Sequence, residues 1–334
     1  MNDLKKKLKS KIKSFLELKS PGVLNLIRFV KYSNWMHRYK SEVVHQAYYK
    51  KIYGALAANV LQSSEPVGNK PLVIITTFND HDIIEAIVRR NAAQGLDQIL
   101  IDNWSTDGTW SILEKLQSEG VGFLELIRYP FDGPSPHYEW KKMLDLKSSM
   151  ALKYPNRWIF HQDSDEVTIS PWINYDISRV LHSIKDMGYN AISLRMIDFQ
   201  PVDDKFEIGD PVENFKYFHF SSIPSYSLQN KIWYQEVGQE VDLSCMGGHD
   251  AQFPGRRLFP IRLPRYHYSV RSSAHSQSKY AASRMERTSK ERNTLGWHTH
   301  IENKIKTDVV KNKEELILFE HQELYSTYFD QFTL

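Results

Sequence analysis

The sequence predicts an α/β protein, a mostly parallel sheet with helices on both faces. Short aliphatic and β-branched runs recur at residues 71–77, 98–101, 123–128 and 158–161. Stretches of helical spacing separate them, and segments rich in Asp, Asn, Ser or Gly close most of the runs on the carboxyl side. That β-α-β-α-β-α-β alternation requires parallel strands joined by crossover helices. At 334 residues the chain can bury one large core with smaller attachments. We divide it at 1–70, a helical and basic extension with a linker, 71–275, the α/β domain, and 276–334, a helical extension.

Residues 1–62 read as helical. Leu4, Leu8, Ile12, Phe15 and Leu16 share one face, with Lys5, Lys6, Lys7, Lys9, Lys11 and Lys13 around it. Such a helix either lies on an anionic membrane surface or packs on its own domain. Pro21-Gly22 ends it, and residues 23–61 accommodate two more helices. Residues 62–70 form a polar linker. The run 71–77 has no alternation, as in a strand buried on both faces. Ile83, Ile84, Ile87 and Val88 give residues 82–94 helical spacing, which Gly95 closes. After the strand 98–101 come a helix at 109–118, a strand at 123–128, a helix at 136–154 and a strand at 158–161. Beyond Ile169 the pattern loosens, with strands at 191–197 and 258–270 and helices at 279–292 and 308–328.

Composition excludes several classes. A formal charge of +3 is too small to argue for nucleic acid. Lone Cys245 rules out an intramolecular disulfide framework and suits a reducing compartment. No apolar run of about 20 residues and no signal-peptide pattern is present, so the expected location is the cytoplasm, with peripheral contact at the inner membrane face only if residues 1–19 lie on the membrane and not on their own domain. No Gly-x-Gly-x-x-Gly, Gly-x-Ser-x-Gly or Walker loop occurs. His298-Thr299-His300 has no evident carboxylate partner and reads as a surface loop.

The chemistry concentrates where strands end, since ligands of open α/β sheets bind at that carboxyl edge. The fourth strand opens onto Asp163-Ser164-Asp165-Glu166. Two hard carboxylates there can hold Mg²⁺ or Mn²⁺; the alternative is an ordinary acidic turn. The first strand ends in Thr76-Thr77-Phe78-Asn79, whose hydroxyls, amide and backbone N–H groups favour an anion, a base or a ribose. The second ends in Asp102-Asn103-Trp104-Ser105-Thr106-Asp107-Gly108-Thr109. Asp102 and Asn103 can read a nucleobase edge, with Asp107 or Thr106 capping the next helix; alone, the octapeptide is a capped β-α turn.

These three motifs in this order resemble the family 2 glycosyltransferases of the GT-A fold, in the branch with Asp-Asn at the second strand. The resemblance covers residues 71–170 well and 171–275 loosely. It implies a nucleotide-sugar donor across Thr76, Thr77, Asn79, Asp102, Asn103 and Asp163, with residues 171–275 as the acceptor half. It also implies a divalent cation, Mn²⁺ or Mg²⁺, at Asp165 and Asp163, completed by His267, with Arg271 on the diphosphate. Asp250 falls where an inverting transferase carries its base, and His249 competes for that role; the family's Glu-Asp dipeptide is absent. Glu85 either positions the nucleotide or is a surface carboxylate. The implied activity is transfer to a glycan or lipid-linked glycan in cell-surface polysaccharide synthesis. A sugar-nucleotidyltransferase and a non-catalytic nucleotide- or glycan-binding protein are the alternatives. Trp172, Phe215, Tyr217, Phe218, Tyr226, Trp233 and Tyr234 are the expected acceptor aromatics.

Overall fold

The structure is a computed structural model describing residues 43–62, 68–172, 174–220, 229–280, 286–297 and 309–334. The basic helix expected over 1–19, Tyr226 and His298–His300 lie outside the described residues. A long helix, α1 (Val43–Gln62), precedes the sheet domain. Next come β1 (Leu72–Thr77), α2 (Ile84–Ala93), β2 (Asp97–Asp102), α3 (Thr109–Ser118), β3 (Phe123–Arg128), α4 (Trp140–Lys153) and β4 (Arg157–Asp163). The four strands are parallel, in the order β4-β1-β2-β3.

Alternation along the strands distributes the core. Val73, Ile75, Leu100 and Phe160 pack on one face with α1, α2, α3 and the helix at 177–186. Leu72, Ile74, Ile99, Ile101 and Ile159 pack on the other, against α4. Successive strand residues point to opposite faces, so an unbroken apolar run feeds both cores. Each fully buried Val or Ile contributes about 1.5–3 kcal/mol relative to exposure.

The later strands turn the sheet mixed. After β5 (Glu166–Thr168), α5 (Ile177–Asp186), β6 (Ala191–Phe199), α6 (Pro211–Asn214) and β7 (Tyr217–Phe220), strand β8 (Ile232–Gln235) joins β4 antiparallel. Strand β9 (Leu258–His267) runs parallel to β6 and antiparallel to β5.

The carboxyl-terminal part differs from expectation. The helix expected over 279–292 is represented by α7 (Ser273–Lys279) and α8 (Ser289–Leu295). The one expected over 308–328 is a series of 3₁₀ turns around β10 (Ile317–Leu318) and the single turn α9 (Leu324–Thr327). Tertiary packing overrides the helical spacing there. Leu318 pairs with Tyr217, and Phe319 meets Tyr266 edge-on at 5.1 Å. Likewise α4 begins at Trp140, not near 136, where Glu291 caps the N–H groups of Trp140 (3.0 Å) and Lys141 (2.8 Å).

Candidate donor and metal site

Parallel pairing aligns the ends of β1, β2 and β4, with Thr76 opposite Asp163 and Thr77 opposite Asp102. Thr76 and Thr77 are buried, and the Thr77 hydroxyl donates to Asp80 Oδ2. Asn79 has φ +57° and clamps the next loop: its N–H donates to Ser105 Oγ and its Oδ1 accepts from Thr106 N at 2.8 Å. Asp102, without exposed surface, accepts Ser105 N and lies 3.5 Å from Arg128. Burial raises its carboxyl, and the Ser105 bonds and Arg128 only partly oppose that. Asn103 donates to Tyr129 O and accepts from Arg287 Nη2 at 2.8 Å, while Arg287 also stacks 4.2 Å over Phe78. The N-cap of α3 is Gly108, not the expected Asp107 or Thr106; Asp107, one residue earlier, accepts on Oδ1 from Thr109 N and Oγ1. Glu85 pairs with Arg89 on an exposed helix face, the surface reading.

At the end of β4 the two aspartates differ. Asp163 is 37 % exposed and accepts from Lys231 Nζ at 3.3 Å. Asp165 is buried; its Oδ2 accepts from Lys279 Nζ at 2.7 Å and its Oδ1 lies 3.8 Å from His267 Nε2. Burial opposes its charge, but Lys279 and His267 overcome that and hold the carboxyl well below its usual range. His267 Nδ1 bonds Asp198 Oδ1, which orients Nε2 toward Asp165. Burial disfavours the imidazolium, yet Asp198 and Asp165 raise His267 above its ordinary value. Glu166 faces inward to Lys231 and Arg265, which outweigh burial and hold it ionised.

No three His, Cys, Asp or Glu side chains among the described residues form a ready metal shell. The donors present still suit a cation completed by substrate. Mg²⁺ and Mn²⁺ commonly take one or two carboxylates plus phosphate oxygens and water; here Asp165 faces His267, and the half-buried Asp163 stands two residues before it at the end of β4. The Asp198-His267 pair is the supporting carboxylate that metal-binding imidazoles use.

The expectation for Arg271 is corrected. Its guanidinium has no exposed surface and donates to Asp82 Oδ2 (2.6 Å) and Oδ1 (2.8 Å), Asp80 Oδ1 (3.2 Å) and Tyr268 O. A buried fork spent on two carboxylates and a carbonyl does not face the cleft. Asp80 also accepts from Ser164 Oγ, so Arg271 braces the loop after β1 against the Asp163–Asp165 turn. Asp80, Asp82, Asp198, Lys231, Lys279 and Arg287 carry no motif, and the sequence offers no signal for them beyond residue type.

Asp250 bridges Asn230, next to the Lys231 that reaches Asp163. Its Oδ1 accepts from Asn230 Nδ2 (2.8 Å) and Arg256 Nη1, and its Oδ2 from Gln252 Nε2 (2.9 Å). His249 Nδ1 lies 3.0 Å from Gln229 Nε2. Several expected acceptor aromatics are core instead: Trp233, Phe218 and Phe215 are buried, Tyr217 and Tyr234 half-buried. Trp172 lines a cavity away from the strand ends. Strand pairing buries alternate rings of the aromatic-rich stretch 171–260 that was expected to line the acceptor cleft.

No protein-family model matches the chain, and no curated protein matches it. Among solved structures it is similar to the mannosyltransferase PcManGT from Pyrobaculum calidifontis in complex with GDP-Man and Mn²⁺. That similarity is 17 % identity over 43 % of this chain and 44 % of that one, at a TM-score of 0.27. It is also similar to S. aureus TarS 1–349 in complex with UDP, at 12 % identity over 72 % of this chain and 76 % of that one, with a TM-score of 0.38. The chain thus spans less than half the length of the mannosyltransferase.

Proposed function

We propose that this protein transfers a sugar from a nucleotide-activated donor to a glycan or lipid-linked glycan acceptor, with inversion, in cell-surface polysaccharide synthesis. The observation carrying the reading is the convergence, on one sheet edge, of the β1, β2 and β4 ends with His267 from β9. Asp163, Asp165 and His267 would hold a divalent cation, which when bound supplies positive charge to the departing nucleoside diphosphate. Phe78, Asn103 and Arg287 offer a ring, an amide and a guanidinium to the nucleoside end. Arg271 and Asp80 hold the first and fourth strand ends in register, a positioning role. Asp250, oriented by Asn230, Gln252 and Arg256, takes the acceptor hydroxyl's proton as its oxygen attacks the anomeric carbon; His249 is the competing base.

Purified protein incubated with UDP-, GDP- and dTDP-sugars, with and without Mn²⁺ or Mg²⁺, should release nucleoside diphosphate from one donor class. Asp165→Asn should lower that release roughly 100-fold or more while the thermal melt is retained. Nucleoside triphosphate formed from pyrophosphate would make the protein a nucleotidyltransferase instead. No release from any donor would leave a binding protein.

A further inference from the structure

A cavity of about 820 Å³ opens where α1, the loop after β5 and the carboxyl-terminal turns meet. It is separate from the strand-end site. Tyr266 and His267 are neighbours on β9 and so point to opposite faces. His267 faces Asp165, whereas the Tyr266 hydroxyl meets Nδ1 of His321, in the cavity wall, at 2.6 Å. The volume falls within the 300–1,000 Å³ typical of small-ligand sites.

The walls combine flat rings with short neutral polar groups. Trp172, Tyr53 and Tyr325 form a three-ring pile, with Tyr53 stacked 5.3 Å from Trp172 and 5.1 Å from Tyr325. Phe329 closes against Tyr53 edge-on at 5.7 Å. Tyr325 is nearly buried and backed by Phe332 at 4.4 Å, so the pile is anchored in the core, while Trp172 at its other end is half-buried. Around the rings stand Asn174, Gln322, Ser326 and Thr327, all exposed. Charge is sparse and balanced: Lys50 and Asp330 carry opposite signs.

We infer that this cavity is a carbohydrate subsite for a neutral glycan chain, distinct from the place of sugar transfer. A pyranose offers an apolar C–H face to an aromatic ring and a rim of hydroxyls to amides and hydroxyls, and half-buried Trp172 at the end of the pile, with the amides and hydroxyls around it, supplies both. An anionic ligand would find one lysine and one aspartate. A peptide adding as a strand would need an open strand edge, and the walls here are helices, turns and a loop. A chain held on this face lies away from the catalytic edge, so the subsite retains a long glycan and does not align its reacting end. The inference goes beyond the transferase reading, and it is tested without any donor.

The test is calorimetric titration of the full chain with the hexasaccharides of maltose, cellulose, mannan and chitin, and with a hexauronate as the anionic control. At least one neutral chain should bind at millimolar concentration or better. Trp172→Ala should weaken it about tenfold or more, a loss of roughly 1.4 kcal/mol. Because Trp172 packs on Tyr53, its loss can also disturb the fold, so the double variant Asn174→Ala/Gln322→Ala, at exposed positions, is the second arm. It should keep the wild-type melt and lose the same binding. No binding of any neutral chain, tighter binding of the hexauronate, or full binding by the folded double variant would overturn the subsite. Donor turnover does not enter these readouts, so loss of the subsite would leave the transferase reading standing, and the reverse.

Discussion

Asp165 serves two cationic neighbours, Lys279 on Oδ2 and His267 facing Oδ1. Lys279 also donates to Ser269 O at 2.8 Å, so its ammonium is fixed beside the carboxylate proposed to hold the cation. A cation bound there would compete with this ammonium for the same charge. Lys279→Met should tighten Mn²⁺ binding about tenfold, near 1.4 kcal/mol, measured as free Mn²⁺ by electron paramagnetic resonance without donor. Unchanged affinity would show that Lys279 does not oppose the cation. At this scale the position of Asp163 and Asp165 at the end of β4 was legible, because an apolar run opening onto paired carboxylates is a local pattern. Arg271 was visible as a residue but misplaced, since its partners Asp80 and Asp82 lie 191 and 189 positions away. Asp198 was invisible: a carboxylate inside a nine-residue buried strand carries no mark until His267 is brought beside it.

Between elements, α4 meets β4 through a buried polar contact. Lys147 Nζ, without exposed surface, lies 2.9 Å from His161 Nδ1 and donates to Gln162 O at 3.0 Å. Burial lowers the Lys147 ammonium from 10.5 to about 7, with Asp163 and Glu166 opposing and Lys231 and Arg265 assisting the fall. Between those values the unfolded chain binds a proton that the folded protein does not. Stability therefore rises with pH across that window, and the burial penalty is greatest below about 7. Lys147→Met removes this slope. From pH 7 to pH 9 the wild type should gain about 2 kcal/mol over the variant, read from urea unfolding at both values. A constant difference would mean Lys147 keeps its ordinary affinity for protons. The pairing of α4 with β4 was expected from the βα alternation, but this contact was not. Lys147 reads as one more surface charge among Lys141, Lys142 and Lys153.

The whole molecule is tied shut at its carboxyl end. Phe332 is fully buried, Leu334 N donates to Pro260 O, and Tyr49 of α1 donates to Leu334 O at 2.8 Å. Phe332→Ala should cost about 3–5 kcal/mol and move one cooperative denaturation midpoint, followed by tryptophan fluorescence. A shift confined to hydrogen exchange in residues 309–334 would instead make the tail a detachable attachment. The parallel half of the fold was legible because each strand there is a continuous apolar run with a turn behind it. In the later half the two long strands β6 and β9 were legible as well, at 191–197 and 258–270, but β5, β7 and β8 were not, being strands of three or four residues assembled by distant partners. Arg271 joins the chain across 189 positions, and that stitch sets the smallest piece able to keep the loop after β1 in place. A fragment cut after residue 170 would hold every recognisable motif but neither the imidazole that faces Asp165 nor the guanidinium that braces Asp80 and Asp82. Such a fragment carries the signature of the site without its substance, and any transplant of these loops into another scaffold must take residues 265–280 along.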